Sequence, residues 1–156
     1  MNKLQELRKI LIERGLNISV AESCTGGMLA QHLTKYPGSS SYFDRGFITY
    51  TNQSKIDELG VNSSVIDAFG AVSLEVASEM VKGINKKSKT SISIAITGIA
   101  GPGGATIGKP VGTVCFGFIV NGELFAEKKL FSGDRELIIH SSVNFAIEWI
   151  FNQIKI

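Results

Sequence analysis

The sequence predicts an α/β fold, a three-layer α/β/α sandwich whose mixed sheet includes one antiparallel hairpin. Segments with apolar residues at helical spacing alternate along the chain with short apolar and β-branched segments. That alternation is typical of a sheet covered by helices on both faces. Nearer the carboxyl terminus, two apolar segments flank Asn121-Gly122, a dipeptide that strongly favours a tight hairpin and therefore an antiparallel pair of strands.

Helices and strands alternate in the first half of the chain. A helix comes first because apolar side chains recur at helical spacing ahead of Gly15, a residue type that commonly ends helices. β-Branched and aromatic residues favour strands, and Thr51 or Asn52 can cap the helix that follows one of them. The predicted elements are a helix over 3–14, a strand over 16–21, a helix over 26–34, a turn over 35–41, a strand over 47–50 and a helix after it.

The second half has equally clear boundaries. Ser73 is the predicted N-cap of a helix with apolar residues on one face. Polar and apolar residues alternate over 91–97, which predicts a strand, and a glycine-rich loop follows directly. Two strands then flank the hairpin turn, and apolar residues at helical spacing predict a last helix over 135–153.

Composition and charge exclude several classes of protein. The 156 residues, 44% of them hydrophobic, fit a single domain over 1–156. The formal charge of +2 comes from 16 basic and 14 acidic residues without a basic stripe, so nucleic acid is not an expected partner. No apolar run approaches the roughly 18 residues of a membrane span. Since there is no signal-peptide pattern and no CxxC spacing, we expect a cytoplasmic protein without metal or other cofactor.

Polar residues collect in three loops that follow predicted strands. These loops cover residues 22–27, 50–55 and 98–113. Ligands of open α/β sheets bind outside the carboxyl ends of the strands. We therefore expect the site among these loops.

The stretch AESCTGG in the first of these loops leaves two interpretations open. Either Ser23 or Cys24 is a nucleophile, with glycines that let a ligand approach the backbone, or Ser23 and Thr25 simply cap the next helix and Cys24 is a small buried residue. His32 and His140 lie within predicted helices without a partner motif. A serine–histidine triad therefore has little support.

Six segments, in this order, resemble the motifs of one family. They are AESCTGG, PGSSSYFDRGFITYTNQSK, GAVS, ITGIAGPGG, KPVGTV and SGDRE. The chain resembles the CinA C-terminal domain family, nicotinamide mononucleotide deamidases of the PncC type, from about residue 20 to the last helix. The resemblance implies a metal-independent amidohydrolase of pyridine nucleotide salvage that converts nicotinamide mononucleotide to nicotinate mononucleotide and ammonia. Many relatives carry a larger N-terminal domain resembling molybdopterin-binding proteins, and here we expect the stand-alone form.

The same resemblance implies roles for individual residues. Its catalytic residues fall on Ser23, Tyr50 and Lys55. Its substrate-binding residues fall on Thr25, Gly26, Gly27, Ser40, Thr97, Gly98 and Arg135. Relatives commonly carry a second arginine four residues after that of the GDR motif, where this chain has Ile139.

The chemistry implied for these residues is physically consistent. A serine must lose its proton as it attacks a carboxamide, and a lysine can accept that proton only when it is neutral. Burial lowers the pKa of a lysine, so a buried Lys55 can be the base. Tyr50 can relay the proton or hydrogen-bond the oxyanion, and backbone N–H groups near Gly26 can stabilise it. Arg135 and the backbone of 97–104 can hold the phosphate of the substrate.

Two other functions remain open at this point. One is a phosphate-handling enzyme on the same scaffold, although the chain has neither a GxxxxGK[ST] loop nor a carboxylate pair for magnesium. The other is a non-catalytic binding module connected with competence or DNA damage.

The outer strand of the hairpin predicts self-association. Its apolar residues, Leu124, Phe125, Leu130 and Phe131, would leave an exposed edge unless a second copy covered them. The family is also oligomeric as a rule, and we expect a homo-oligomer, with a two-fold dimer favoured. Alternatively, the charged residues 127–129 already protect this edge.

Overall fold

The computed structural model describes residues 1–156. Six helices and five strands follow one another in the predicted order, apart from one helix, α4, that was not predicted. They are α1 (Lys3–Arg14), β1 (Ile18–Glu22), α2 (Met28–Leu33), β2 (Phe43–Ile48), α3 (Asn52–Leu59), α4 (Ser63–Phe69), α5 (Leu74–Ser88), β3 (Ile92–Gly98), β4 (Thr113–Val120), β5 (Glu123–Leu130) and α6 (Arg135–Ile154), with a short 3-10 turn at Ser39–Ser41.

The five strands form one mixed sheet in the order β2-β1-β3-β4-β5. Strand β1 is parallel to both of its neighbours, whereas β4 is antiparallel to β3 and β5 is antiparallel to β4. The carboxyl ends of β1, β2 and β3 therefore lie at the same edge of the sheet, where β4 begins. This confirms the predicted mixed sheet with one antiparallel hairpin.

Helices cover both faces of the sheet and bury an apolar cluster on each side. On one face, Phe116 and Phe118 of β4 pack with residues of α1, α2 and α6. On the other face, Ile119 packs with residues of α3, α4 and α5. With both faces covered, the central strands are buried along nearly their whole length. None of the helices combines the length and the apolar character needed to cross a membrane.

Several turns and caps predicted from single residues are confirmed. Asn121 and Gly122 have φ angles of 49° and 86°, as a type I′ hairpin turn requires. Gly15 ends α1 in the left-handed region, and Ser73 caps α5. Of the two candidates for the start of α3, Thr51 is the N-cap.

Some predicted boundaries are wrong for identifiable reasons. The strand predicted at 47–50 is β2, Phe43–Ile48, because pairing with β1 already begins where the Ile18 N–H donates to the Tyr42 carbonyl. The strand predicted at 16–21 is likewise displaced, to Ile18–Glu22. The helix predicted at 26–34 begins only at Met28, since both preceding glycines have positive φ angles.

Strand β5 is an edge of the sheet, as predicted for the outer strand of the hairpin. Leu124 and Leu130 are 39% and 65% exposed, whereas Phe125 and Phe131 pack against the core.

That a second copy covers this edge stays a prediction. Light scattering at micromolar concentration measures it: a mass twice 16.8 kDa is expected, and a mass equal to one chain, unchanged on concentration, would contradict the expectation.

Candidate active site

A cavity of about 280 Å³ lies at the carboxyl ends of β1, β2 and β3. Its walls come from the β1–α2 turn, the β2–α3 loop, the α4–α5 connection, the β3–β4 loop and the first residue of α6. The position agrees with the general rule for open α/β sheets. All three polar loops singled out in the sequence contribute to it.

Ser23 and Lys55 form a hydrogen-bonded pair in this cavity. The Lys55 Nζ lies 3.1 Å from the Ser23 Oγ. The first helical turn of α3 carries Lys55, and the turn after β1 carries Ser23, whose N–H is fixed by the Ile96 carbonyl of β3. Both side chains are buried, with Lys55 1% and Ser23 7% exposed.

Burial makes the neutral form of Lys55 easier to reach than in a lysine exposed to water. Its Nζ also contacts the Thr49 carbonyl at 2.8 Å and the Tyr50 carbonyl at 3.4 Å. Burial lowers the pKa of Lys55 below its ordinary value. A neutral amine has two N–H donors and one lone pair, so donation to the two carbonyls leaves the lone pair for the Ser23 hydroxyl.

Cys24 is poorly suited to act as a nucleophile. Burial raises the pKa of its thiol to about 12, so the reactive thiolate is scarce at neutral pH. The side chain packs in the core, and its Sγ would lie 3.1 Å from a Cβ built on Gly98. Of the two candidate nucleophiles in AESCTGG, the geometry favours Ser23.

Glu22 fixes the turn that carries Ser23, a role that sequence reasoning missed. This buried carboxylate accepts hydrogen bonds from the Thr25 hydroxyl at 2.6 Å and from the N–H groups of Leu29 and Ala30 at 2.8 and 3.0 Å. It therefore replaces the missing side-chain cap of α2, whose N-cap residue is a glycine. The alternative that Ser23 and Thr25 cap this helix is wrong.

Glu22→Gln is expected to lower both stability and activity. The NH2 group of a glutamine is a donor and cannot accept a hydrogen bond, so one of the two N–H groups of α2 would lose its acceptor. We expect the free energy of unfolding to fall by about 2 kcal/mol. Displacement of Ser23 by the loosened turn is expected to lower kcat about tenfold. Urea unfolding and steady-state kinetics measure the two effects.

The exposed Glu148, paired with Lys3 on the surface, provides the control. Glu148→Gln should change both quantities little. Equal effects of the two substitutions would contradict the anchoring role of Glu22.

Tyr50 and Arg135 meet at the rim of the cavity. The Tyr50 hydroxyl accepts a hydrogen bond from the Arg135 Nη2 at 2.8 Å, and the Arg135 Nη1 donates to the Gly101 carbonyl at 2.9 Å. Tyr50 is 54% exposed. Its hydroxyl makes no hydrogen bond to the Ser23–Lys55 pair.

The β3–β4 loop presents backbone donors to the cavity. Among the loop residues that line the cavity, four have an N–H group without an acceptor within the chain: Ala100, Gly101, Gly103 and Gly104. Thr97, before the loop, also lines the cavity, and its hydroxyl donates to the Ala71 carbonyl. Gly98 must lack a side chain, since an added Cβ would lie 2.8 Å from the Val114 Cγ2.

Four residues that the family resemblance implies as substrate-binding lie outside this cavity. Thr25 is buried, and its hydroxyl is occupied by Glu22. Gly26 and Gly27 continue the turn away from the cavity, and the Gly26 N–H donates to the Ser23 carbonyl. The Cys24 N–H, next to Ser23, has no acceptor within the chain, and the same holds for the N–H groups of Thr25 and Gly27. Ser40 lies on the exposed 3-10 turn that precedes β2, at the opposite edge of the sheet.

The structure adds wall residues that were not candidates. Ala71 and Val72 belong to GAVS, a segment quoted for the family resemblance but not among the candidate loops, because it joins two helices. Asn52 contributes from the first position of α3. Ile139 packs against the core and does not line the cavity.

The ionisable side chains that line the cavity include two bases and no carboxylate. The bases are Lys55 and Arg135. No cluster of three or more His, Cys, Asp or Glu residues suited to a metal ion occurs in the chain. The site is therefore suited to an anionic ligand, and independence from metal stays a prediction.

The family model of the CinA C-terminal domain matches residues 2–154. A curated relative from Clostridium acetobutylicum, provisionally named competence-damage inducible protein, is 46% identical over 148 residues, 95% of this chain and 36% of the relative. One of the same provisional name from Clostridium beijerinckii is 49% identical over 138 residues, 88% of this chain and 34% of the relative. The chain thus spans about a third of the length of these relatives.

Solved structures are similar over nearly the whole chain. A CinA superfamily protein from Escherichia coli superposes with a TM-score of 0.92 at 36% identity, covering 96% of this chain and 87% of that one. A competence/damage inducible protein, CihA, from Agrobacterium tumefaciens superposes with a TM-score of 0.89 at 39% identity, covering 97% and 96%. These matches agree with the α/β architecture described above.

Proposed function

Because this chain belongs to the CinA C-terminal domain family, we propose that it hydrolyses the carboxamide of nicotinamide mononucleotide to nicotinate mononucleotide and ammonia. Ser23 is the proposed nucleophile and Lys55 the proposed base. The observation that carries the proposal is the 3.1 Å contact between the Lys55 Nζ and the Ser23 Oγ inside the cavity.

The first half of the proposed reaction forms an ester. The Ser23 Oγ attacks the carboxamide carbon as its proton passes to neutral Lys55, and the carbonyl oxygen becomes an oxyanion. The free N–H of Cys24 is a candidate donor to that oxyanion, and one such donor contributes about 3 kcal/mol. Lys55 then returns the proton to the amide nitrogen, the C–N bond breaks and ammonia leaves.

The second half releases the acid. Lys55, neutral again, takes a proton from water, whose oxygen attacks the ester carbon. The bond to the Ser23 Oγ breaks and the proton returns to that oxygen. The products are the free enzyme and the pyridine carboxylic acid, which loses its remaining proton to solvent and leaves as the carboxylate.

The charge of the cavity supports a phosphorylated substrate. Arg135 provides charged donors to the cavity, and the free N–H groups of the lining residues 100–104 provide neutral ones. Nests of backbone N–H groups and guanidinium groups are both suited to phosphate. The positively charged pyridine ring of the proposed substrate also withdraws electrons from the carboxamide and makes its carbon a better electrophile.

Ammonia release from nicotinamide mononucleotide tests the proposal. We expect release that survives dialysis against a chelator and that added magnesium leaves unchanged. Activity restored only by zinc, manganese or magnesium would contradict the metal-independent mechanism. Complete absence of release, with a folded protein, would favour the non-catalytic binding module.

A further inference from the structure

Arg135 holds two neutral acceptors and no anion. Its Nη2 donates to the Tyr50 hydroxyl at 2.8 Å and its Nη1 to the Gly101 carbonyl at 2.9 Å. None of the salt bridges of the chain includes Arg135. A guanidinium forms its strongest hydrogen bonds with an anion, roughly twice as strong as those between neutral groups. The contact with Tyr50 is therefore one that an entering anion can replace.

The phenol of Tyr50 bonds to Arg135 and not to the Ser23–Lys55 pair. The Tyr50 hydroxyl bonds to Arg135 at the rim, although the Tyr50 carbonyl is only 3.4 Å from the Lys55 Nζ. The main chain of Tyr50 is thus already beside the reacting groups. Tyr50 is 54% exposed, and rotation about its Cα–Cβ bond would move the hydroxyl away from Arg135.

We propose that Arg135 is a latch on Tyr50 that the phosphate of the substrate opens. The phosphate binds Arg135 and the free N–H groups of 100–104, displaces the phenol, and the released Tyr50 turns towards Ser23 and Lys55. This inference rests on the proposed function and deepens it, because it makes the phosphate a trigger for assembly of the site as well as an anchor.

The latch predicts a particular form of substrate selectivity. Nicotinamide riboside has the same reacting amide but no phosphate, so it leaves Tyr50 bonded to Arg135. Part of the binding energy of the phosphate is then used to complete the site. A substrate without the phosphate should therefore have a lower kcat as well as a higher KM. A simple anchor would change KM alone.

The latch can be tested by supplying the substrate as two separate molecules, nicotinamide riboside and phosphite dianion. Phosphite dianion added to nicotinamide riboside is expected to raise the turnover of the riboside about tenfold or more, since the free anion opens the latch in place of the missing phosphate. Tyr50→Phe should abolish this activation. Arg135→Ala should also abolish it, while raising the turnover of the riboside without phosphite, because Tyr50 is no longer held.

The exposed Arg45, which pairs with Asp44 on β2, gives the matched control. Arg45→Ala should keep the phosphite activation. The latch is overturned if phosphite fails to activate the wild-type protein, or if Arg135→Ala lowers turnover of riboside and nucleotide by the same factor.

A second readout is independent of deamidation. The chain has three tyrosines, so protein labelled with 3-fluorotyrosine gives three fluorine resonances, and Tyr50→Phe identifies that of Tyr50. Inorganic phosphate is expected to shift this resonance in the wild type but not in Arg135→Ala. A shift without turnover of nicotinamide mononucleotide would overturn the proposed function and keep the latch. Turnover of nicotinamide mononucleotide without a shift of the Tyr50 resonance would overturn the latch and keep the proposed function.

Discussion

Replacing Ser23 with alanine is expected to abolish ammonia release from nicotinamide mononucleotide, whereas Cys24→Ala is expected to retain most of it. Ser23 supplies the only hydroxyl that contacts the Lys55 Nζ. The Cys24 thiol, with its pKa raised to about 12, stays protonated at neutral pH. Loss of a nucleophile costs about four to six orders of magnitude in kcat.

The measurement pairs ammonia release with mass spectrometry of protein that is quenched during incubation with nicotinamide mononucleotide. The wild type and Cys24→Ala should carry an ester adduct on the peptide that contains Ser23, and Ser23→Ala should not. Matching urea-unfolding curves exclude misfolding as the cause. An active Ser23→Ala with an inactive Cys24→Ala would overturn the assignment.

Lys55→Met is expected to lower kcat about a thousandfold, within the range for loss of a general base. Methionine keeps much of the apolar volume but cannot take a proton. Lys55→Arg should be almost as inactive, because arginine keeps the positive charge and remains protonated. The exposed Lys86 on α5 provides the control, since Lys86→Met should leave turnover unchanged. Full activity of Lys55→Arg would show that only the charge matters.

The pH dependence of the wild type should follow the neutral form of Lys55. Burial lowers its pKa from 10.5, so kcat/KM should rise with pH along a limb that lies below 10.5. Stability should rise in the same window. Below the lowered pKa the folded state bears the cost of a buried charge, and above 10.5 the side chain is neutral in both states. Lys55→Met should lose this rise in stability, and a limb at or above 10.5 would contradict the assignment.

Where a local signal dictates the backbone, the sequence alone was sufficient. Gly15, Ser73 and Asn121-Gly122 each act within a few residues, and the structure places them as caps and a turn. The start of β2 had no such signal. Asp44 and Arg45 are polar because that strand is an exposed edge of the sheet. Which strand becomes an edge depends on pairing between distant segments, and no short pattern contains that information.

The site was predictable in its residues more than in its contacts. Ser23 and Lys55 followed from the family resemblance, and the structure brings them together across 32 positions. The bond between Tyr50 and Arg135 spans 85 positions, and neither residue has a local feature that points to the other. Glu22 looked like one more polar residue at a strand end, because its three donors become its neighbours only after α2 has packed against β1.

The hairpin turn and the cavity lie at opposite ends of the sheet, so the protein could be attached to a surface through the turn without covering the cavity. Val120, just before the turn, pairs with Ile92 at the beginning of β3, whereas the cavity lies where β3 ends. Both native cysteines are buried. Glu123 follows the turn residues Asn121 and Gly122 but does not share their positive φ angles. A thiol introduced by Glu123→Cys would therefore be the one that maleimide reagents reach. Protein tethered through this thiol to a solid support would turn its cavity towards the surrounding liquid.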